Sequence, residues 1–574
     1  MCGIAGVMFD ERRDPAYGRR VVQAMCETQR TRGPDGLYTW SNGRVALGMV
    51  RLAIVGTQLL GQQPIEGESG ARLIFNGELY RPGEVAEHLG MPFSDEQCDG
   101  AALLRLLETQ GVQGLCGVST MFALAMFEPD SGSVLLARDA WGQKPLYFRR
   151  VREGWAFAST VGAVRVATGP MRIREEALLE ALIFKSVGGG GSAFEAVDQV
   201  PPGSWIRIGP TCDFDFGRWR RPEMIDGTLP DAATLRRYLT RAIKARCPAG
   251  FRSTIFLSGG LDSSIVATVA RQYTEVPSPR VLTVGYEVGG SQDEHALAIR
   301  LADELELDSE TLILKSQDVP ELLEAAAAAM EDPNHDPVVI PTLALTRYAS
   351  AQTKVVLTGD GSDEFWGGYS RFEAPPATLD EYLRRTMVFS PEELGLETFP
   401  DTYLDNVDVP PIGSMAPLDR YMRVEALNRM RNYHLSRIDK LSMAVGLEAR
   451  SPFLDSMVTR YAESLPAAGK RLHGRPKGLL IDAFADVLPE WLLRRRKQPF
   501  TVPIRAWLAG PIREWCHDQL GSPNAFVRKL TDPRRWLDAL SGDHVDDKTL
   551  MHVWSLLYLE VWYRVFGRLM ELEA

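Results

Sequence analysis

The chain has 574 residues, too many for one core, and its 45% apolar and 24% charged content is that of a folded globular protein rather than a disordered one. A net charge of −11 argues against a surface built to hold long polyanions, because nucleic-acid binding needs clustered cations that displace counterions. The start MCGIAGVMFDERR has neither the basic region nor the apolar run of a secretory signal, and no stretch approaches the roughly 18 to 20 apolar residues of a membrane span. A cytoplasmic protein with no nucleic-acid or membrane partner is therefore expected. Seven scattered cysteines, odd in number and never in a CxxC pair, fit reduced thiols better than a disulfide framework or a zinc site.

Residues 1–218 read as short strands broken by turns: Cys2 to Phe9, Arg44 to Ile54, Arg72 to Phe75, Met121 to Phe127, Ser133 to Ala137, Leu146 to Phe148 and Trp205 to Ile208. Helical spacing appears in Arg19 to Thr28, Asp99 to Thr109 and Arg174 to Phe184, giving an α+β domain. The run GGGGS at Gly188 to Ser192 reads as a mobile surface loop inside this domain. Charges, Gly and Pro interrupt the periodicity between Phe216 and Pro230, which sets the expected boundary to a second domain, 219–574. There helix and strand alternate: helix Ala232 to Ala245, strand Thr254 to Leu257, a helix from Ser263, strand Arg280 to Tyr286, a helix from Glu294 and strand Lys354 to Leu357. That is the pattern of an α/β parallel sheet, followed after Ala416 by a mainly helical part. The apolar face of Trp554, Leu557, Tyr558, Val561, Trp562, Val565 and Phe566 reads as core.

Two segments carry chemistry. Cys2 follows Met1 directly, so removal of Met1 would leave a thiol and a free α-amine on one residue, and an amine of pKa roughly 7.7 to 8.0 can take the thiol proton. A thiolate attacking an amide needs oxyanion donors, which Asn76 and Gly77 of FNGELY can supply. A free amino acid needs a cation for its carboxylate, for which Arg51 is the candidate, and an anion for its amine, for which Glu78 or Asp99 is. The second segment, SGGLDSS at Ser258 to Ser264, follows the apolar run Thr254 to Leu257 and lacks the lysine of a Walker A loop. Its glycines and hydroxyls still suit a phosphate cradle at a helix N-terminus. Asp262 inside an anion cradle would repel its ligand unless a cation lay between, which implies Mg²⁺. TGDGSDEFWGGY at Thr358 to Tyr369 supplies a second acidic loop at a strand end, and Asp363 could share that metal.

In order along the chain, MCGIAGV, RGPDG, RLAIV, NGELY, Asp99 and ARDAWGQKPLY resemble the glutaminase domain of N-terminal-nucleophile amidotransferases. By that resemblance Cys2 attacks the side-chain amide of glutamine, Asn76 and Gly77 form the oxyanion hole, Arg51 binds the carboxylate, Glu78 and Asp99 take the amine, and Ile54 belongs to the same glutamine site. SGGLDSS resembles the pyrophosphate loop of the ATP pyrophosphatase superfamily. With GDGSDE, RIDKLSMAVGLEARSPFLD and RRRKQPFTVP, the whole chain to about residue 566 is similar to glutamine-dependent asparagine synthetases. The fold implied is an N-terminal-nucleophile sandwich followed by an adenine nucleotide alpha-hydrolase-like sheet.

The resemblance implies ATP as co-substrate at Leu257, Ser258, Gly259, Gly260, Asp262, Ser263, Ser264, Val284, Gly285, Thr358 and Gly359. It also implies Mg²⁺ on Asp262 and Asp363, catalytic roles for Lys497 and Asp360, and a homodimer. The implied reaction adenylates a carboxylic acid, aspartate first, and amidates it with ammonia passed between the two sites. Two departures concern the acceptor. EDPNHDPVVIP, Glu331 to Pro341, lacks the cation that some asparagine synthetases carry there, and Asp360 stands where some members have Glu. A different carboxylate, from a specialised metabolite or a cell-surface sugar, is one alternative. An ATP-dependent lactam or lasso-peptide cyclase is another, and a non-catalytic glutamine or nucleotide sensor a third.

Overall fold

A computed structural model describes all residues except Met1, 55–60, 93–97, 189, 221–224, 226, 248–251, 274–277, 289–293, 405–414, 499, 541–544 and 571–574. Strand Cys2–Phe9 is buried along its whole length. It lies inside a six-stranded sheet in the order Asp198–Gln199, Tyr147–Val151, Gly154–Ala158, Cys2–Phe9, Val45–Arg51, Gly36–Ser41, with each pairing antiparallel. Ile4 and Met8 point into an interior shared with Ile74, Ala123, Ala125 and Leu136 of a second six-stranded sheet. Ala5, Val7 and Phe9 face the other way, onto Val22, Met25 and Cys26 of helix Pro15–Glu27. This period-two alternation, buried on both faces, is what a strand at the centre of a sandwich requires. Gly6 has to be glycine, since a Cβ there would lie 2.2 Å from the Phe157 ring. The first domain is thus an N-terminal-nucleophile sandwich, with helix Asp99–Gln110 packed on its second sheet.

The second domain holds a five-stranded parallel sheet, ordered Asp308–Leu314, Arg280–Tyr286, Thr254–Phe256, Val355–Leu357, Glu448–Arg450. The chain runs outward from Thr254–Phe256 in one direction and then returns to build the other side. The strand order therefore reverses between Thr254–Phe256 and Val355–Leu357, and the crevice outside their carboxyl ends is where open α/β sheets bind ligands. The loops leaving those two strands begin at Leu257 and Thr358. Helix Asp547–Met570 buries Trp554, Leu557, Tyr558, Val561 and Trp562 as core. Among the described residues no helix is long and apolar enough to cross a membrane.

The run Gly188 to Ser192 is not a surface loop. Gly188 packs against the Tyr403 ring so tightly that a Cβ would come within 2.3 Å of it, and buried Ser192 donates to Asp332 at 2.6 Å. Residue 189 lies outside the described residues, as do 221–224 and 226 of the expected boundary segment. Gly188 fits at the seam between the domains because only a glycine leaves room for the facing Tyr403 ring.

That seam is charged and dry. Asp439, on helix Ser436–Met443 of the second domain, accepts from Arg32 Nη2 and from Lys144 Nζ of the first, each at 2.9 Å. All three side chains are at most 4% exposed. Burial pushes the Asp439 carboxyl up, but the two cations win and hold it below the ordinary range. Arg32 Nε also donates to the Cys2 carbonyl at 3.3 Å, so the Cys2 backbone is tied to the second domain through one side chain. Removing one partner from a buried ion cluster leaves uncompensated charge, which costs about 3–5 kcal/mol. Asp439→Asn should lower the unfolding free energy by about that amount in chemical denaturation.

Candidate active sites

Strand register places Cys2 opposite Arg51 and brings both to the edge of the seam. The Cys2 amide donates to Asn76 Oδ1 at 3.2 Å across the two sheets. Asn76 is fully buried, and its Nδ2 has no hydrogen-bond partner among the described residues. A buried donor left unpaired is costly and calls for a ligand. Gly77 follows on the same strand, where a Cβ would lie 2.0 Å from the Met121 carbonyl. Burial raises the Cys2 thiol above its usual value, while the chain's amino terminus and Arg51 pull it down. Asp99 opens its helix and accepts the Leu79 amide at 2.8 Å, so it stands next to Glu78. Burial raises Asp99 as well, and it pushes Glu78 up to about 8 despite the Arg450 guanidinium 3.1 Å away. Arg450 pairs with Glu448 too, and the charge it lends there lowers Glu448 instead. Ile54 belongs to an apolar cluster across the seam, made by Leu52, Tyr80 and Met121 with Val355 and Met443.

The crevice of the parallel sheet is a cavity of about 600 Å³. Of the anticipated residues, Leu257, Ser258, Asp262, Ser263, Val284, Thr358, Gly359, Asp360, Asp363 and Lys497 line it. Gly259, Gly260 and Ser264 are not among its lining residues. Gly259 takes φ +72°, and Ser264 Oγ donates to the Gly260 carbonyl at 2.7 Å. Gly285 is not on the cavity either; it packs against Ile313 and His295. Leu282 and Val284 form an apolar end, and the acids with Lys497 form a charged one. Burial raises Asp360 above the ordinary carboxyl range, against the pull of Thr358 and Arg437.

Asp262 and Asp363 do converge, but around a residue that the motifs did not single out. Lys477 Nζ lies 2.7 and 2.6 Å from the two Asp262 oxygens and 2.5 Å from Asp363 Oδ1, while Lys497 Nζ reaches Asp363 Oδ2 at 2.8 Å. Burial opposes ionisation of Asp363, yet the two ammonium groups hold its carboxyl well below the usual range. Two carboxylates already focused on one cation fit Mg²⁺, which is commonly held by one or two carboxylates plus phosphate oxygens. The only sequence hint of Lys477 is a lysine just before the apolar helix Gly478–Phe484.

Beyond the acids the cavity is lined by Lys185, Arg371, Arg429, Arg437, Asp336, Glu364 and Tyr433. Arg437 pairs with Asp336, and Arg371 and Arg429 pair with buried Glu425. Glu364, pushed up to about 7 by burial and by Asp363, accepts from Tyr369 at 2.6 Å.

Residues 234–564 match the family model for asparagine synthase, and residues 1–212 match that for a glutamine amidotransferase domain. The chain belongs to the asparagine synthase family. It is an enzyme, an asparagine synthase-type glutamine amidotransferase, and ATP use is consistent with that family. It is 27% identical to "Asparagine synthetase [glutamine-hydrolyzing] 1" of Bacillus subtilis, over 98% of this chain and 97% of that one. It is 24% identical to "Asparagine synthetase [glutamine-hydrolyzing] 3" of the same organism, over 94% and 93% of the two chains. It is also 24% identical to "Amidase chry2" of Gibberella zeae, over 94% and 95%. If Glu78 takes the glutamine amine, as the sequence resemblance implies, it can hold that ammonium group only when its carboxyl is ionised. With its carboxyl raised to about 8, KM for glutamine should fall roughly tenfold per pH unit on approaching pH 8 and level off above it. Glutamate release measured without ATP across that range tests this, and Glu78→Gln should give a high KM with a flat profile.

Proposed function

We propose that the protein releases ammonia from glutamine at Cys2 and uses it to amidate a carboxylate that ATP has adenylated, with L-aspartate as the first acceptor to test. The domains are taken as 1–218 and 219–574. With Met1 removed, the α-amine of Cys2 takes the thiol proton and the sulfur attacks the glutamine side-chain amide. Asn76 Nδ2 and the Gly77 amide receive the oxyanion, Arg51 holds the carboxylate, and Glu78 with Asp99 holds the amine. Ammonia leaves, and water releases glutamate from the thioester. The observation that carries this half is the buried, unpaired Nδ2 of Asn76, whose Oδ1 accepts from the Cys2 amide.

In the cavity the acceptor carboxylate attacks the α-phosphate and pyrophosphate departs, with the Ser258 to Ser264 loop around it and Lys497 balancing the charge that develops. Asp262 and Asp363 would hold Mg²⁺, which when bound neutralises the leaving pyrophosphate. Ammonia then displaces AMP from the acyl-adenylate, and Asp360, whose burial favours the protonated form, accepts the proton. The apolar cluster of Leu52, Ile54, Tyr80, Met121, Val355 and Met443 supports a dry route between the sites. It runs from Leu52, the residue after Arg51, to Val355 on the strand that precedes Thr358. A dry route keeps ammonia unprotonated and the adenylate from hydrolysis.

The second reading is a different carboxylate, favoured by Asp360 in place of Glu and consistent with a relative named an amidase. A cyclase has no use for Cys2, Arg51, Asn76 and Asp99, whereas a glutamine sensor would bind its ligand there without consuming it and would keep that binding in Cys2→Ala.

Cys2→Ala should abolish glutamine-driven amide formation while ammonia-driven formation continues, and label in the glutamine amide nitrogen should reach the product of the wild type. Product carrying no label would defeat nitrogen transfer. Lys497→Met should cut pyrophosphate release by about 100- to 1000-fold while glutaminase activity without ATP persists.

A further inference from the structure

The segment Glu331 to Pro341 carries no Arg or Lys of its own, yet a cation from the first domain stands beside it. Lys185 caps helix Glu175–Phe184, its carbonyl accepts the His335 amide at 3.0 Å, and Ser186 bridges to Asn334. The junction is rigid, because His335 is clamped by the Ala181 carbonyl at 2.6 Å and by Ser555 at 2.9 Å, and the Trp554 indole donates to the His335 carbonyl at 3.0 Å. From this anchor the Lys185 side chain lines the nucleotide cavity, and it lines a neighbouring cavity of about 700 Å³ as well.

Three features mark Lys185 as a ligand-reading residue rather than a structural one. Its ammonium lies 5.8 Å from the centre of the Tyr433 ring but has no hydrogen bond or ion pair among the described residues, in contrast to Lys497 in the same cavity, which pairs with Asp363. Its backbone takes φ +72°, ψ −10°, the left-handed C-cap conformation that favours glycine, so the lysine is kept at a conformational cost. And it joins Arg429, whose Nη1 is buried without a hydrogen-bond partner, and Arg437, giving this end of the cavity more cations than acids. Burial and the neighbouring guanidinium groups pull Lys185 down, opposed by Asp336, and a bound anion would relieve that strain.

Resting on the amidotransferase reading above, we propose that Lys185, supplied by the glutaminase domain, binds the non-reacting anionic group of the acceptor and restricts the enzyme to acids that carry a second negative charge. The acceptor site is then complete only when both domains are in place, and the first domain takes part in selecting the acid as well as in delivering nitrogen.

The test measures acid-dependent pyrophosphate release with ATP and Mg²⁺ for matched pairs that differ by one carboxylate: L-aspartate against β-alanine, succinate against propanoate, glutarate against butanoate. Wild type should prefer the dianionic member. Lys185→Gly should raise KM for that member by about 10- to 100-fold, the worth of one charge-assisted hydrogen bond, with a much smaller change in kcat. Lys185→Arg should restore part of the preference. Because glycine suits the backbone here, Lys185→Gly should keep or raise Tm, whereas a structural role predicts a fall. A preference that survives in Lys185→Gly, or a wild type that favours the monoacids, overturns the assignment and leaves the amidotransferase reading standing. Absence of acid-dependent pyrophosphate from wild type would instead overturn both.

Discussion

Asp439 is shared between Arg32 and Lys144 in a place from which water is excluded, and the positions of both active sites follow from that arrangement. One carboxylate between two buried cations is stable only when all three are present and aligned, so the cluster fixes how the domains meet. Arg32 passes that alignment to the Cys2 backbone. The same helix carries Lys440, which donates to the Met330 carbonyl at 2.6 Å at the start of the segment beside Lys185. Charge placed at the seam thus does for domain orientation what apolar packing does inside each domain.

Much of the fold was legible in the sequence because its central elements obey simple periods. Strand Arg280–Tyr286 and the start of helix Ala232–Arg246 fall where apolar spacing puts them, and Asp231 caps that helix through its side chain. Among the described residues, the strands not anticipated are Gly36–Ser41, Ile65–Glu66, Gly154–Ala158, Asp198–Gln199, Phe214–Arg218, Asp308–Leu314 and Glu448–Arg450. Gly36–Ser41, Phe214–Arg218, Asp308–Leu314 and Glu448–Arg450 lie at sheet edges, half exposed or too short to show a pattern. Glu448–Arg450 is a three-residue strand with two charged residues, and its burial is possible only because those charges pair with each other and with Glu78. The glycine run misled for a related reason: local composition says flexible, whereas Tyr403, the ring against which Gly188 packs, lies more than 200 residues away.

Of the residues proposed to hold glutamine, Cys2 starts one strand and Arg51 ends its neighbour, Asn76 and Gly77 lie within Arg72–Leu79, and Asp99 opens a helix, positions that the motifs marked in the sequence. The cavity of the parallel sheet was legible in its two loops and in Lys497, but not in the other cations in and around it. Lys477, Arg429 and Lys185 occupy ordinary helical or helix-end contexts, and nothing in the spacing of a lone basic residue separates a buried ligand-facing charge from a solvated one. They come together only through the crossing of distant elements.

Arg450 has a consequence for how the two reactions can be tuned. Its guanidinium rests on Glu78, while its backbone carbonyl accepts the Thr358 amide at 3.0 Å. One residue therefore braces Glu78 with its tip and the loop that begins at Thr358 with its main chain. A substitution there would remove the brace on Glu78 but keep the carbonyl that holds the Thr358 amide, so a change of side chain reaches the second site only by shifting the short strand Glu448–Arg450 on which both contacts depend.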